Sequence, residues 1–512
     1  MKKKRRAFAG ALSLVLLLSA CGGPEERPAP TLTPRPTAST VEEAEVGFVL
    51  PCYPPGGFHP ITGTNRLNLT LAPLLYRGLF SVDRNFEARE ELCASYTVSE
   101  DGLLWTFWLT PAEFSDGTPL TAQEVARSLT QARGSERYGG RLADVKTIVA
   151  EGKTVVVTLT RPNGALPVLL DIPIVKETED DGRPLGTGAY FLMEDEEGLS
   201  LVAGPGKEVP AERIPLRTVG AGDDLIYAFD AREISLVDTD LTGTNVLGYS
   251  GRLETTDYPT STLLYLGCNL RSGLCREQEV RQAVALALDR ETMAGRILAG
   301  HGVASSLTVH PNAPGYDREL AERWGLDPER GGSILEEAGW TRNEEGILTR
   351  KRGEKLELRL VVNQDNTFKV AIAEAAAEDL RELGMEVTLD RLAWEEFVIA
   401  LERGEFDLYL GETTLTPDFD LTPLLGKNGT LNYGGFADEE TWRQMDQWRA
   451  ARGEERLTTT VNLCGRIGEL APVIPLSFKN GSLLTQWGQV SGAAPTQRDV
   501  FAGLENWRLS GT

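Results

Sequence analysis

The chain has 512 residues, enough for two or three domains with substantial cores. Its 75 acidic and 52 basic residues give a formal net charge of −23, and no basic field of the kind that binds nucleic acid is present. The acidic balance suits solubility and favours neutral or cationic ligands.

The first 21 residues combine a basic run, an apolar run and a cysteine. Lys2 to Arg6 precede an apolar stretch that ends in Leu18-Ser19-Ala20-Cys21. That stretch is shorter than the roughly 20 residues of a transmembrane helix and has the form of a secretory signal. It matches the lipobox, in which the cysteine is acylated, so residues 1–20 are predicted as a lipoprotein signal peptide and Cys21 as the lipid anchor. An ordinary secretory signal that happens to contain cysteine is the alternative.

Residues 21–44 are rich in proline, serine and threonine and show almost no apolar pattern. Such a segment cannot bury a core, so we expect a disordered tether. From Val46 onwards the pattern is that of a folded chain.

Two isolated elements come next along the chain. Residues 152–160 are β-branched and end before a proline, which predicts a strand. Residues 277–300 have apolar residues at helical spacing and end in glycine, which predicts one amphipathic helix.

The clearest architecture lies between residues 356 and 410. Strands are predicted at 356–362, 385–389 and 406–410, and helices between them, the first capped by Asn366 and closed by Gly384. A βαβαβ run predicts parallel strands with right-handed crossovers. Ligands on such sheets bind beyond the carboxyl ends of the strands, which here is the segment 411–425.

Patterns of catalytic or metal-binding residues are absent from the sequence. Three scattered histidines are too few for a zinc site, and no Gly-x-Ser-x-Gly elbow is present. The acidic run 194–197 lacks the alternating spacing of a calcium loop and is predicted to be solvated. The sequence therefore predicts no metal, no cofactor and no catalytic residue.

Six cysteines are present, at positions 21, 52, 93, 268, 275 and 464. With Cys21 lipidated, the remaining odd number cannot all pair. Cys268 and Cys275 either close a small loop or are buried free thiols, and both alternatives stay open.

Several segments in order resemble a known family. They are Leu75–Phe80 (LYRGLF), Phe114–Val125 (FSDGTPLTAQEV), Pro184–Tyr190 (PLGTGAY), Val280–Arg290 (VRQAVALALDR), Leu335–Trp340 (LEEAGW) and Pro472–Ser477 (PVIPLS). Together they resemble the oligopeptide-, dipeptide- and nickel-binding proteins of ABC importers, extracellular solute-binding protein family 5. The resemblance covers residues 48–507. The segments also have physical roles of their own: Asp116-Gly117 favours a tight turn, and Thr121 with Glu124 has the spacing of a capping box.

The resemblance implies an α/β, two-lobed periplasmic-binding-protein-like fold of the class II type, with three domains and a hinged ligand cleft. Domain I comprises 45–57, 184–264 and 483–512, domain II 58–183, and domain III 265–482. The chain crossings near Leu266 and Leu483 are expected to form the hinge, which closes around ligand.

The resemblance also implies a site. Peptide-binding members pair the ligand's α-amine with an aspartate in a phrase like Trp-x-x-Asp-Tyr, just after a domain III strand. Here Glu412 and Thr413 replace the tryptophan and the spacing is longer, so Asp420 and Asp418 are both candidates, with Asp420 preferred. The remaining candidate ligand contacts are Thr416, Thr414, Asn432 and Tyr433. A turn-capping role for Asp418 is the structural alternative.

The function implied is that of a lipid-anchored receptor on the outer face of the cell membrane, which captures a solute and delivers it to the permease subunits of an ABC importer. The expected ligand is a peptide; the family also binds nickel chelates, sugars and opines. We expect a monomer that binds no nucleic acid, meets the membrane only through its lipid and has no enzymatic activity. The alternatives are a signalling peptide receptor of the same fold and a surface hydrolase that uses paired carboxylates.

Overall fold

The computed structural model describes residues 47–178, 183–220, 222–244 and 248–510, so the predicted signal, the tether and Cys21 lie outside it. Its strands are β1 Leu50–Cys52, β2 Phe80–Val82, β3 Ala88–Glu90, β4 Cys93–Val98, β5 Leu104–Leu109, β6 Val145–Glu151, β7 Thr154–Leu159, β8 Tyr190–Asp195, β9 Gly198–Ala203, β10 Arg213–Thr218, β11 Leu236–Thr239, β12 Leu253–Cys268, β13 Gly302–Ala304, β14 Thr341–Arg342, β15 Leu348–Arg350, β16 Glu354–Lys355, β17 Glu357–Asn363, β18 Glu386–Leu392, β19 Leu408–Thr414, β20 Val473–Gln486, β21 Val490–Ser491 and β22 Arg508–Leu509.

The α-helices connect and cover these strands. They are α1 Arg66–Thr70, α2 Ala72–Leu75, α3 Ala122–Arg133, α4 Leu166–Leu169, α5 Gly222–Asp230, α6 Gln278–Ala287, α7 Arg290–Thr292, α8 Arg318–Arg323, α9 Pro328–Glu337, α10 Thr367–Glu382, α11 Trp394–Arg403, α12 Thr422–Leu425, α13 Glu439–Ala450 and α14 Gly453–Leu470. Short 3₁₀ turns lie at Pro54–Gly56, Gly139–Leu142, Leu274–Arg276, Lys351–Gly353 and Leu504–Asn506, and a π-turn at Met293–Ile297.

Two four-stranded sheets with helices α1–α5 and the segment after β20 make up what we call the first lobe. One sheet has the order β1-β10-β9-β8 and the other β4-β5-β7-β6. The predicted strand at 152–160 is β7, which is confirmed. Side chains of both sheets share one core with residues close to the C-terminus, and Phe48 meets Trp507 edge-on at 6.4 Å between ring centroids.

The second lobe is built on the predicted βαβαβ unit, which is confirmed. Strand β17 pairs in parallel with both β18 and β19, and α10 and α11 make the crossovers. The Asn366 side chain accepts a hydrogen bond from the Lys369 amide at 2.9 Å, and Gly384 closes α10 with φ +97°. Strand β19 runs to Thr414, four residues beyond its predicted end. Apolar cores cover both faces of this sheet, as is usual for parallel strands.

Two long antiparallel strands connect the lobes. β12 and β20 pair from Leu253 with Gln486 to Gly267 with Val473, and β12 continues the second-lobe sheet through β19. Their register is interrupted between Pro259 and Leu263. The strands run past both predicted crossing points, and this interruption is the irregular position closest to the first lobe.

The predicted single helix at 277–300 is wrong beyond Ala287. Leu288 is extended, with φ −82° and ψ +123°, and Asp289 begins a new short helix by accepting from the Thr292 amide at 3.0 Å. The Arg290 guanidinium is buried and donates from Nε to the Pro475 carbonyl at 2.7 Å. An uninterrupted helix would break these contacts with β20.

Three short sequence motifs differ in their physical roles. Gly117 has φ +78° in the predicted turn, which is confirmed. The Thr121 hydroxyl donates to the Glu124 carboxylate and caps no backbone amide, so the predicted capping box is wrong in its first half. Gly186 and Gly188 lack positive φ; a Cβ there would lie 2.0 Å and 2.3 Å from backbone oxygens of Leu75 and Leu74, so they permit close chain approach.

The five cysteines within the described ranges are buried free thiols. The neighbouring Cys268 thiol and burial both raise the pKa of Cys275. Of the two alternatives for this pair, the structure therefore has the free thiols, and the raised pKa keeps Cys275 in the protonated form that reacts slowly.

Candidate functional site

A cavity of about 470 Å³ lies between the lobes, where β12 and β20 lose their regular pairing. Its floor includes Tyr258, Thr260 and Thr262 of β12 and Lys479 of β20. The first lobe contributes Arg66, Arg137, Asp238, Asp240 and Gln497, and the second lobe contributes Thr414. The walls therefore come from both lobes, and most of the named side chains carry a charge or a hydroxyl group.

Four charged side chains form what we call the cleft cluster: Lys479 and Asp240, which line the cavity, and Glu412 and Lys369, which lie outside its lining. The Lys479 side chain is 3% exposed, and its Nζ lies 2.6 Å from Asp240 Oδ2 and 3.4 Å from Glu412 Oε2. Lys369 lies 3.3 Å from the same Glu412 carboxylate. Burial is the largest single effect and opposes ionisation of Asp240, but the Lys479 charge and the hydrogen bonds from Lys479 and Thr242 together outweigh it and lower the pKa of Asp240. A buried cation thus pairs with one carboxylate that lines the cavity and with a second that does not.

Asp238 and Asp240 are a pair of cleft carboxylates with opposite pKa shifts. Burial raises the pKa of Asp238, whereas that of Asp240 is lowered. Opposite shifts are also found in catalytic acid and base pairs. Here, however, Asp238 accepts from the Tyr258 hydroxyl at 2.5 Å and lies 3.7 Å from Arg66, and Asp240 accepts from Thr242 and Lys479. Each carboxylate oxygen already has a partner, which favours a binding surface over a general base.

Asp420, the preferred sequence candidate, lies in the loop between β19 and α12. Its Oδ1 accepts from the Thr422 amide at 3.0 Å and the Thr422 hydroxyl at 2.7 Å. It also accepts from Arg449 at 3.2 Å. The carboxylate therefore closes the turn before α12 and pairs with a buried arginine.

Asp418, the second candidate, is 3% exposed and lies 3.9 Å from Arg456. Burial raises the pKa of Asp418 against the opposing charge of Arg456, whose guanidinium stacks 3.6 Å from the Trp448 ring centroid. Among the residues in the described ranges, neither Asp418 Oδ1 nor the buried Thr416 hydroxyl has a hydrogen-bond partner of normal geometry. These two atoms are buried and retain capacity for a donor, whereas the hydrogen bonds of Asp420 all go to its Oδ1. A turn-capping role is found for Asp420 and not for Asp418.

The other sequence candidates separate into one cavity residue and two scaffold residues. Thr414 lines the cavity and meets Thr262 at 3.0 Å. Asn432 closes a turn by accepting from the Phe436 amide and donating to the Phe436 carbonyl. Tyr433 packs edge-on against Tyr409 with centroids 6.0 Å apart. Of the sequence candidates, the structure thus brings only Thr414 to the lining of the cavity; Thr416, Asp418, Asp420, Asn432 and Tyr433 lie outside it.

A second contact between the lobes, which we call the latch, surrounds Arg449. The Arg449 side chain is 3% exposed and reaches Asp420 and Asp446 in the second lobe and, at 4.0 Å, Asp144 in the first. Its backbone carbonyl accepts from the Gly164 amide of the first lobe at 2.7 Å. A Cβ on Gly164 would lie 2.0 Å from the Ala451 carbonyl oxygen. The loop that holds both candidate aspartates is therefore tied to the first lobe.

Aromatic rings extend this inter-lobe contact. Phe86 of the first lobe lies 4.9 Å from Phe419 and 5.0 Å from His310, and both of those rings pack against Phe478. Burial lowers the pKa of His310 to about 4, which keeps the ring neutral near pH 7. The lobes are thus in direct apolar contact beside the candidate loop.

Two kinds of feature are absent from the described residues. No group of three or more acidic, histidine or cysteine side chains in those ranges is placed to hold a metal ion. No helix in those ranges is both long and apolar enough to cross a membrane.

Comparisons with known proteins agree with this geometry. The model of the family described as bacterial extracellular solute-binding proteins, family 5 (middle) matches residues 87–432. The oligopeptide-binding protein AppA of Bacillus subtilis strain 168 is 21% identical and aligned over 100% of both chains. The glutathione-binding protein GsiB of Salmonella typhi is 26% identical over 55% of this chain and 59% of its own. The crystal structure of a nickel ABC transporter protein from Bacillus halodurans covers 88% of this chain and 97% of that chain, with 19% identity and a TM-score of 0.73, and shows the same two-lobed α/β fold.

Proposed function

Because the chain belongs to the bacterial extracellular solute-binding proteins of family 5, we propose that its cleft captures a short peptide for delivery to an ABC importer. The observation that carries this proposal is the inter-lobe cavity, whose walls come from both lobes and whose floor is the irregular part of the connecting strands. Its volume of about 470 Å³ lies in the range of small-ligand sites. The oligopeptide- and glutathione-binding relatives support a peptide as the ligand.

The proposed ligand contacts use the charges already in place. Asp418 and Thr416 retain acceptor capacity and supply the partner for a peptide α-amine; Asp420 acts through the latch. Arg66 lines the cavity from the first lobe and supplies positive charge for a carboxylate. The sequence-based preference for Asp420 stays a prediction, and the hydrogen bonds favour Asp418.

The proposed motion is closure of the lobes about the connecting strands. The three-domain division, with domain I at 45–57, 184–264 and 483–512, places both crossings on β12 and β20. The register interruption at Pro259–Leu263 removes ladder hydrogen bonds at one point of this connection, which makes it the proposed bending point. The latch and the Phe86 contacts form only when the lobes meet.

The proposed attachment to the outer face of the membrane is a lipid on Cys21, followed by the tether at 21–44. Lipid chains supply membrane affinity of about 0.8 kcal/mol per buried CH₂. We expect Cys21→Ser to release the protein into the medium. Retention of that variant in the membrane fraction after a salt wash would contradict the proposal. The protein is proposed to act as a monomer with the permease subunits as its partners.

The test of the function is a thermal-shift screen of di- to pentapeptides, with nickel–histidine complexes and sugars as comparison ligands. A ligand present at about a hundredfold its Kd stabilises the folded state by about 2.7 kcal/mol. We expect peptides to raise the melting temperature and to be recovered intact by chromatography. Stabilisation by nickel–histidine or sugars alone would contradict the peptide assignment, and consumption of the peptide would show a hydrolase.

A further inference from the structure

A second cavity, of about 910 Å³, lies within the first lobe and shares no lining residue with the cleft. Its walls are the segment 109–123, the start of β8 with the glycines before it, and the turn 204–207. Arg77 and Lys153 also line it. The motifs most typical of the family therefore surround a space that the solute cleft does not use.

Backbone hydrogen bonds join these walls. The Ser115 amide donates to the Gly186 carbonyl at 3.0 Å, the Gly188 amide to Leu75 at 2.9 Å, and the Gly204 amide to Ala189 at 2.9 Å. The walls cannot separate without breaking these bonds. The cavity is consequently preformed, which lowers the entropic cost of occupying it.

The charges on the cavity wall are mainly positive. Arg77, Lys153 and Lys207 line it together with a single carboxylate, Glu113. Arg77 Nε donates to the Thr187 carbonyl at 2.9 Å, and burial lowers its pKa. Lys207 is exposed, and its partial burial and the neighbouring Arg77 both lower its pKa.

Neither Arg77 nor Lys207 lies within 4.0 Å of a carboxylate oxygen of any described residue. Glu91, whose charge favours the cationic form of Arg77, is not part of the lining. In a chain with 75 acidic and 52 basic residues, these two cations line one cavity, and the Arg77 charge disfavours the charged form of Lys207. A bound anion would relieve this repulsion.

Apolar side chains line another part of the same cavity. Leu109, Phe114, Leu120 and Phe191 face the same space. A ligand that suits both features has an anionic group next to a short apolar body.

We propose that this cavity is a second binding site, for a small organic anion whose carboxylate or phosphate pairs with Arg77 and Lys207. The site lies inside one lobe, so occupation does not require closure of the cleft. It goes beyond solute capture and can be tested while the cleft is empty or filled.

The test is isothermal titration calorimetry on the purified full chain at low ionic strength, with hexanoate and hexyl phosphate as probes and hexylamine as the charge control. The variant is Lys207→Gln. The matched control is Lys427→Gln, which removes the same charge from a lysine that lies over Trp442 in the second lobe. We expect both anions to bind the parent protein and hexylamine not to bind. Lys207→Gln should raise the Kd of the anions at least tenfold, and Lys427→Gln should change it less than twofold.

A cleft-binding peptide, once identified, separates this site from the cleft. We expect the peptide to leave the anion affinity unchanged and Lys207→Gln to leave the peptide affinity unchanged. Displacement of hexanoate by the peptide, equal losses in the two lysine variants, equal binding of hexylamine, or no anion binding below 10 mM each overturn the proposal. A failure of peptides to bind at all would affect the proposed function and not this site.

Discussion

The cleft cluster and the latch both join the two lobes through a cation whose side chain is 3% exposed, but they differ in what holds their members. Lys479 lies on β20, Glu412 on β19 and Asp240 directly after β11, so the cluster belongs to one hydrogen-bonded sheet. Arg449 ends α13, whereas Asp144 precedes β6 in a different sheet. The latch therefore joins elements that share no strand pairing.

We expect this difference to give the two contacts different roles, the cleft cluster in stability and the latch in closure of the lobes. Bending at the connecting strands can pull Arg449 away from Asp144 and Gly164 without breaking ladder hydrogen bonds. The cleft cluster depends less on closure, because Lys479 lies on the connecting strand β20 itself and β20 pairs directly with β11, the strand that Asp240 follows. We therefore expect changes in the cluster to alter the free energy of unfolding, and changes in the latch to alter ligand affinity.

The largest expected effect is on the cleft cluster. Lys479→Met leaves the Asp240 carboxylate beside a buried apolar side chain without its cation, and Glu412 keeps only Lys369. Removal of one partner from a buried ion pair typically costs about 3–5 kcal/mol, and the partial exposure of both carboxylates places our expectation near about 3 kcal/mol. Urea unfolding followed by circular dichroism measures the loss. Lys427→Met, on the surface of the second lobe, is the control and should change the midpoint little; equal losses would contradict the assigned role of Lys479.

The loop between β19 and α12 connects the cleft cluster with the latch, since Thr414 lies at the cavity and Asp420 in the latch. Asp418→Asn removes the carboxylate that retains acceptor capacity for a peptide α-amine. Loss of a buried charge-assisted hydrogen bond should weaken peptide binding about a hundredfold, or about 2.7 kcal/mol. Calorimetry with free and N-acetylated peptides measures it. A larger loss in Asp420→Asn would return the amine to the residue first preferred, and equal affinity for acetylated peptides would exclude an amine contact.

The latch is tested most directly at Gly164. A Cβ at this position would lie 2.0 Å from the Ala451 carbonyl oxygen, so Gly164→Ala forces the lobes apart. Because ligand binds the closed form, a smaller closed population raises the apparent Kd, and we expect about a tenfold rise. Gly140→Ala in the same lobe is the control, since an added Cβ there meets no atom within 4 Å. Small-angle scattering should show a larger radius of gyration for Gly164→Ala only; unchanged affinity with unchanged size would exclude the latch.

Local patterns predicted the parallel unit of the second lobe correctly. The Asn366 cap, the Gly384 terminus and the strand runs are all encoded within a few residues of their positions, and each was confirmed. The helix at 277–300 failed because its apolar spacing continues past Leu288. The reason for the break, the Arg290 contact with Pro475, comes from a strand almost two hundred residues later.

Prediction of the site was limited in the same way, because local patterns do not contain contacts made by distant parts of the chain. The segment after β19 was correctly located at the carboxyl end of its strand, and Thr414 reaches the cavity. Lys479 and Asp240 gave no local signal, because only the pairing of β20 with β11 and β12 brings them to the cleft. The preference for Asp420 over Asp418 rested on spacing, whereas their different hydrogen bonding depends on arginines of α13 and α14.

The smallest expected effect concerns the aromatic contact beside the latch. Burial lowers the pKa of His310 to about 4, whereas an unfolded histidine titrates near about 6.5. The unfolded chain therefore binds a proton first, and the stabilisation is fully present above about pH 6.5 and is lost as the pH falls towards 4. One proton gives a slope of at most about 1.4 kcal/mol per pH unit.

The variant that tests this titration is His310→Asn. His310 Nδ1 accepts from the Asn312 amide at 3.0 Å, and an asparagine side chain can replace this contact, so the loop should stay folded. We expect the variant to flatten the dependence of the unfolding free energy on pH between pH 6.5 and 5.5. Because Phe86 of the first lobe covers this ring, the parent protein should also lose peptide affinity over that pH range more steeply than the variant. Identical pH profiles of the two proteins would show that protonation of His310 does not affect the equilibrium between open and closed lobes.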